Sequence, residues 1–446
     1  MTPNAASSRS GDRLPAAYWR LWTASTVSNL GDGVFLVALP LLAARLTRSE
    51  VSISLVAAAA SLPWLVLSLP IGAIIDRSDR KRILVRADSF RALVMVTLAV
   101  LAGTGHARIW MLWIAALALG VAEVFFDNSS QALVPAIVPP HLLERANGRR
   151  YAAELAANTF IGTPIGSIVF AAAVWLPFGL DAATFVLAVL LVLPIRGSFR
   201  ATPADDRPLA DRGVRTTLRQ ETRDGFAWLW KFPLLRSLAV ALGLSNLGFQ
   251  LAQAVFVLFA QERLHISERA FGFLLAVMGV GAVVGALLGE RIAKLFGQSG
   301  AIYWALITWT LTLTLTGLFP VTWFVALMAA IESMAATAWN VVTVSLRQQI
   351  VPPQLFGRVN SVYRWFGWGT LPIGSAIGGQ IAHEYGLRAP YFVGAGFVVL
   401  AIAVSVRHVN GRSIAAAVAA ASALVGREER DDQPATPLTP APPSMT

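Results

Sequence analysis

From residue 20 to residue 406 the chain is a succession of long apolar runs separated by short polar interruptions. A membrane-spanning helix needs about 20 mostly apolar residues. Twelve runs are read as spans: Arg20–Leu42, Val51–Ile75, Ile83–Thr104, Ile109–Val134, Arg150–Val174, Leu180–Ile195, Leu235–Ala260, Ala270–Ile292, Ala301–Leu318, Val321–Ile350, Arg358–His383 and Ala389–Val406. Periodicity within them does not assign an inward face, because lipid tails are as apolar as a protein core. Composition excludes the soluble alternative. Of 446 residues 56% are hydrophobic and 14% charged, against roughly 25% charged in soluble domains. A single buried core also stops growing at about 250–300 residues. The expected fold class is an all-α polytopic membrane protein with 12 transmembrane helices.

Lysines and arginines orient the spans. "DRSDRKR", the Arg145–Arg150 segment and the Arg-rich stretch from Arg196 to Lys231 fall on one side; "TRSE", "GTGHAR", "LPFG" and "FPVTW" fall on the other. Both termini are thereby expected in the cytoplasm. The net charge of +11 is explained by basic loops at an anionic leaflet, so no nucleic-acid partner is invoked. The polar N-terminus lacks the apolar core of a cleavable signal. The expected organisation is an N-terminal tail (1–17), a first six-helix half (18–195), a central cytoplasmic loop (196–233), a second half (234–410) and a largely disordered tail (411–446). Within the loop, "TLRQETRDGFAWLWKFP" reads as an amphipathic helix, with Phe226, Leu229 and Trp230 resting on the membrane surface.

The chain repeats itself. "IVPPHLLERANG" (Ile137–Gly148) returns as "IVPPQLFGRVNS" (Ile350–Ser361), and "SNLG" at Ser28–Gly31 returns at Ser245–Gly248. "GTPIGS" (Gly162–Ser167) returns as "GTLPIGS" (Gly369–Ser375), and "FGLDAATF" ending at Phe185 returns as "YGLRAPYF" ending at Phe392. The matches fall in order at nearly constant spacing. They imply two pseudo-symmetric six-helix halves around a central cleft, a plan that places a binding site near the midplane.

Gly72, Asp76, Arg77, Arg80 and Lys81 of "GAIIDRSDRKR" match the loop signature G-x-x-x-D-R-x-x-R-R/K. With twelve runs and a long central loop, the chain resembles the major facilitator superfamily. "ALVPAIVPPHLLERANG", "LDAATF" and "ETRDGFAWLWKFPLLRSL" are similar to phrases of its branch that contains macrolide-efflux and enterobactin-exporter proteins. The resemblance covers about Trp19 to Val406. In the second copy of the signature, "GALLGERIAKLFG", Gly289 stands in the place of Asp76.

A charge within a membrane helix is costly and marks a functional candidate. Asp32 lies about twelve residues into the first run, roughly 18 Å deep at 1.5 Å per residue, with Asn29 one turn away. It reads as a protonatable carboxylate lining the cleft, or as one hydrogen-bonded to a neighbouring helix. Glu123 and Asp127 share a face of the fourth run at i and i+4. They read as a proton-relay pair. The resemblance offers another role for Asp127, a latch with Arg80 that closes the cytoplasmic side. Glu332 is a candidate from the second half, and Gln250, Gln253 and Asn340 add hydrogen-bonding groups for a substrate or between helices. Asp76, Arg80, Arg86, Asp88, Arg91 and Glu154 read as an ion-paired cytoplasmic gate, or as separate solvated charges. Asp181 reads as structural. Gly162, Pro164 and Gly166 partly match the superfamily's antiporter motif G-x-x-x-G-P-x-x-G-G, or serve only close packing. Many proton-coupled members carry an arginine in the fourth helix, and Trp113–Asp127 has none.

With no cysteine, no G-x-x-x-x-G-K-[ST] loop and only scattered histidines, nothing points to an enzyme, an ATP-driven pump or a metal site. The expectation is a cytoplasmic (inner) membrane secondary transporter, monomeric, without a cofactor, exporting an amphiphilic small molecule such as a drug, macrolide-like compound or siderophore. Protons are the expected coupling partner. The alternatives are an uncoupled or import-type metabolite facilitator and a non-transporting membrane sensor.

Overall fold

Helix α1 (Ala16–Leu46) has 31 residues, a length of about 46 Å, more than the roughly 30 Å of a bilayer's hydrocarbon core. It ends where Thr47 turns extended and its N–H bonds the Ala43 carbonyl. The computed structural model describes residues 13–67, 70–76, 78–196, 199, 223, 225–351 and 353–419, and no strand occurs among them. Arg77, most of the central loop and the tail from residue 420 lie outside the described residues.

The further elements are α2 (Glu50–Leu67), α3 (Ile71–Asp76), α4 (Arg80–Gly103), α5 (Ile109–Ile137), α6 (Leu143–Leu155), α7 (Thr163–Ala172) and α8 (Leu176–Val192). The chain continues through α9 (Pro233–Gln253), α10 (Phe256–Glu262), α11 (Glu268–Leu318), α12 (Thr322–Ile350), α13 (Pro353–Trp368), α14 (Leu371–Tyr385) and α15 (Ala389–Ser405). Among the described residues, seven helices are long and apolar enough to cross a membrane. Charges in its first three turns set α4 apart from them; Asp79 caps its start by accepting from the Lys81 and Arg82 amides at 3.0 and 3.4 Å. Large apolar side chains such as Leu93, Ile114, Leu190 and Leu287 are exposed on the bundle's outside, a surface suited to lipid.

Several apolar runs are not single helices. The second is described as two helices, α2 and α3, with Pro70 in a turn directly before α3. The fifth runs through a wide π-turn, Ala156–Gly162, into α7, where Pro164 sits at the first turn. The seventh breaks at Ala254 and Val255, and the eleventh at Gly369 and Thr370. The two copies of the "GT-PIGS" phrase thus both open a new helix with proline at its start, where a missing N–H costs nothing.

The eighth and ninth runs form α11 with one non-helical residue, Gly297, at φ 70° and ψ 167°. An added Cβ there meets no atom within 4 Å, so backbone strain alone opposes a side chain. Gly297→Ala is expected to lower stability by about 1–3 kcal/mol, read as an earlier unfolding midpoint in denaturing mixed micelles.

The repeated "SNLG" phrase supplies two close crossings. Gly31 of α1 lies against Asp181 and Thr184 of α8, and Gly248 of α9 lies against the backbone of Gly394 on α15. Two expectations change. In the helical segment 225–231, Leu229 is fully buried in the core rather than resting on a surface. Phe226 and Trp230 are the exposed pair, stacked 5.0 Å apart. Residues 411–419, expected to be part of a largely disordered tail, are helical, with Ile414 buried.

Candidate substrate cavity and its charged cluster

A cavity of about 690 Å³ lies between α1, α2 and α4–α14. Phe35, Trp64, Phe126, Phe185, Phe256 and Trp368 give it an aromatic wall. Asp32, Glu123, Asp127 and Glu154 place four carboxyls in that wall, and Arg91 is the basic residue among the lining side chains.

Arg91 is the centre of the cluster. Its Nη2 donates to Asp32 Oδ1 at 2.5 Å, and its Nη1 lies 3.5 Å from Asp88 Oδ1. The guanidinium sits over the Phe185 ring, 4.3 Å from its centroid, and 5.4 Å from that of Phe126. Arg91 and Asp88 are almost wholly buried, whereas Asp32 keeps 23% of its side chain accessible. Behind them Asp181, fully buried, accepts from Thr184 Oγ1 at 3.2 Å and leaves its Oδ2 without a partner. Two carboxyls therefore share one guanidinium in a space where unbalanced charge is expensive.

Sequence reasoning had Arg91 and Asp88 in a cytoplasmic gate; the structure sets them deep in the bundle beside Asp32. Arg91 is eleven residues beyond the start of α4, about 16 Å along it. The buried arginine of the cavity wall thus lies on α4 rather than α5. Depth arithmetic applied to the third run would have found it.

Arg80 Nη1 donates to the Ala132 carbonyl of α5 at 3.0 Å. Lys81 Nζ donates to the Leu193 and Ile195 carbonyls at 2.7 Å each, closing the end of α8. Arg86 is exposed, and Glu154 pairs with Arg150 at 3.6 Å. Asp127 lines the cavity. Gly72 and Asp76 lie in α3, and their side chains are outside the described set.

Asn29, Gln250 and Gln253 line the cavity. Asn29 is also bonded to the Ser25 carbonyl at 2.7 Å, and Gln250 to Ser375 Oγ at 2.9 Å. Asn340 is exposed and does not line the cavity. Glu332 is also absent from its wall and faces a separate small chamber. Gly162 and Gly166 abut the α1 backbone at Gly33 and Val34, which accords with close packing.

One end of the bundle is sealed between α1–α8 and α9–α15. Arg45 grips Glu268 through two guanidinium nitrogens, Nε and Nη2, which donate to the two carboxylate oxygens. Arg48 bonds Gln261 at 2.7 Å and lies 3.9 Å from Glu262, His383 faces Glu50 at 3.4 Å, and Ser167 Oγ donates to the Arg269 carbonyl at 2.8 Å. Among pairs of described residues, every ion pair joining the two sets of helices lies at this end.

Long apolar helices around a charged, aromatic-lined cavity form a polytopic membrane transporter, not an enzyme. The chain belongs to the transmembrane secretion effector family, a branch of the major facilitator superfamily, whose family model matches residues 15–428. It is 24% identical over 383 residues to the multidrug efflux pump Tap of Mycolicibacterium fortuitum, covering 82% of this chain and 90% of that one. It is 23% identical over 402 residues to macrolide efflux protein A of Streptococcus pyogenes, covering 88% and 96%. A variant of the nucleoside transporter NupG shares the fold with a TM-score of 0.71 at 14% identity, covering 87% of this chain and 99% of that one. So does a bacterial homologue of the iron transporter ferroportin in an inward-facing state, at 0.62 and 16%, covering 88% and 98%.

Proposed function

We propose that the protein is a proton-coupled exporter of amphiphilic small molecules, working by alternating access in the cytoplasmic membrane. The observation that carries the reading is the cavity wall, where four carboxyls and one guanidinium face an aromatic surface. Aromatic side chains suit the apolar body of a drug-like or macrolide-like compound. A surplus of carboxyls over cations is the chemistry of proton binding. Asp32 exchanges Arg91 for a proton, and Glu123 and Asp127 take part in the relay. The named efflux activities of Tap and macrolide efflux protein A support the direction.

The twelve spans form two six-helix halves, and the basic loops set both termini in the cytoplasm. In that orientation the sealed end faces outward and the cavity opens inward. The protein acts as a monomer and needs no cofactor beyond the proton gradient, where one charge crossing 100 mV is worth about 2.3 kcal/mol.

Proteoliposomes with an entrapped pH dye test this. Lipophilic cations, macrolides and ferric-chelating catecholates are each expected to be screened for substrate-dependent proton flux, lost in Asp32→Asn or Glu123→Gln. Substrate movement with no proton flux in the wild type sinks the coupling and leaves a facilitator.

A further inference from the structure

Glu332 has no place in the cavity just described, yet it is a carboxyl on α12 in the middle of an apolar bundle. Its Oε1 is buried and has no hydrogen-bond partner. The backbone above it is fixed, because Trp309 Nε1 donates to the Glu332 carbonyl at 3.2 Å. The side chain borders a chamber of about 30 Å³ between α9–α12 and α15. A site needs about 10–15 Å³ to hold one water-sized occupant and two to four polar partners to keep it. Partners are present. Tyr391 is 4% exposed with its hydroxyl unpaired, and the hydroxyl residue Thr316 and the amide residue Gln253 also line the chamber. Tyr391 is the one other titratable group in the chamber wall among the described residues.

A carboxylate oxygen buried without a hydrogen-bond partner is costly unless a cation or a proton occupies the space beside it. We propose that Glu332, Tyr391 and Thr316 form a binding site for a small monovalent cation, either a proton or sodium, separate from the Asp32–Arg91 cluster. Gln253, Phe256 and Met278 line both the chamber and the main cavity, so they are the partition between the two. Two of them flank the break between α9 and α10, where Val255 leaves helical geometry at φ −113° and ψ 8°. Motion at that break opens or shuts the passage, which ties occupancy of the chamber to the conformation of the cavity wall. The binding site stands on local geometry and does not rest on the export reading.

The test uses the full-length protein in phosphatidylcholine–phosphatidylglycerol vesicles, without substrate. Infrared spectra of the protonated-carboxyl C=O stretch are recorded against pH in choline chloride and in sodium chloride. The wild type minus Glu332→Gln difference is expected to contain a carboxyl band that titrates. Sodium that suppresses the band identifies sodium as an occupant; a band indifferent to sodium leaves the proton. Tyr391→Phe retains the ring that packs 4.7 Å from Phe259 and is expected to shift the band's midpoint. It is the deciding variant if Glu332→Gln does not fold. A difference spectrum unchanged by pH and salt, or an unshifted midpoint in Tyr391→Phe, overturns the site. A failed transport assay has no bearing on either readout.

Discussion

Arg91→Met is expected to destabilise the protein by about 3–5 kcal/mol and to abolish transport. The magnitude is that of breaking a buried ion pair by removing one partner. Asp32 and Asp88 both lose their guanidinium contact, and Asp88 is 2% exposed, so water cannot substitute for it. The rings of Phe126 and Phe185 also lose the cation between them. A second variant separates charge from packing. Arg91→Met combined with Asp32→Asn and Asp88→Asn removes the uncompensated carboxylates and is expected to recover most of the stability, while transport stays lost. Unfolding midpoints in mixed micelles and uptake in vesicles give the two readings. A triple variant as unstable as the single one would mean that the guanidinium matters for its packing, not its charge.

Gly248→Ala is expected to cost about 1–3 kcal/mol or more, the range for overpacking a tight core. The added methyl would strike the Gly394 backbone, which no rotamer change can relieve, so α9 and α15 must move apart. Gly31→Ala at the equivalent crossing meets the side-chain oxygens of Asp181 and Thr184 instead. Thr184→Ala is expected to relieve part of the Gly31→Ala defect, whereas no single side-chain trimming is expected to relieve Gly248→Ala. Equal behaviour of the two glycines in a thermal unfolding series would contradict the distinction between side-chain and backbone contact.

The long apolar runs made the helical, membrane-embedded character legible, and the repeated phrases anticipated the matched crossings at Gly31 and Gly248. The breaks within runs were not legible. Hydropathy averages across a π-turn at Ala156–Gly162 or a two-residue break at Ala254–Val255, because the residues there are as apolar as their helical neighbours. Asp32, Glu123 and Asp127 stood out because each interrupts an otherwise uncharged stretch. Arg91 did not, because charges recur along the start of α4 at Arg80, Lys81, Arg82, Arg86 and Asp88, with never more than three residues between them, so no long apolar stretch marks where the interior begins. For Glu332 and Asn340 the sequence leaves open a place in the main cavity or between helices, because nothing in it says which face of an apolar helix turns inward, and a one-residue error in facing rotates a helix by about 100°.

The clasp formed by Arg45, Arg48, Glu50, Glu262, Glu268 and His383 has a consequence for how the molecule responds to its surroundings. Arg48 keeps 62% of its side chain exposed and Glu262 45%, so these charges are bathed by the medium on that side. Exposed pairs are worth about 0–1 kcal/mol each and weaken as salt shortens the Debye length from about 10 Å at 0.1 M to about 3 Å at 1 M. The buried Arg91 cluster is shielded from this effect. Ionic strength therefore acts on the clasp and leaves the interior charges nearly untouched. On the alternating-access reading proposed above, salt on the clasp's side of the membrane is expected to shorten the time the bundle stays shut.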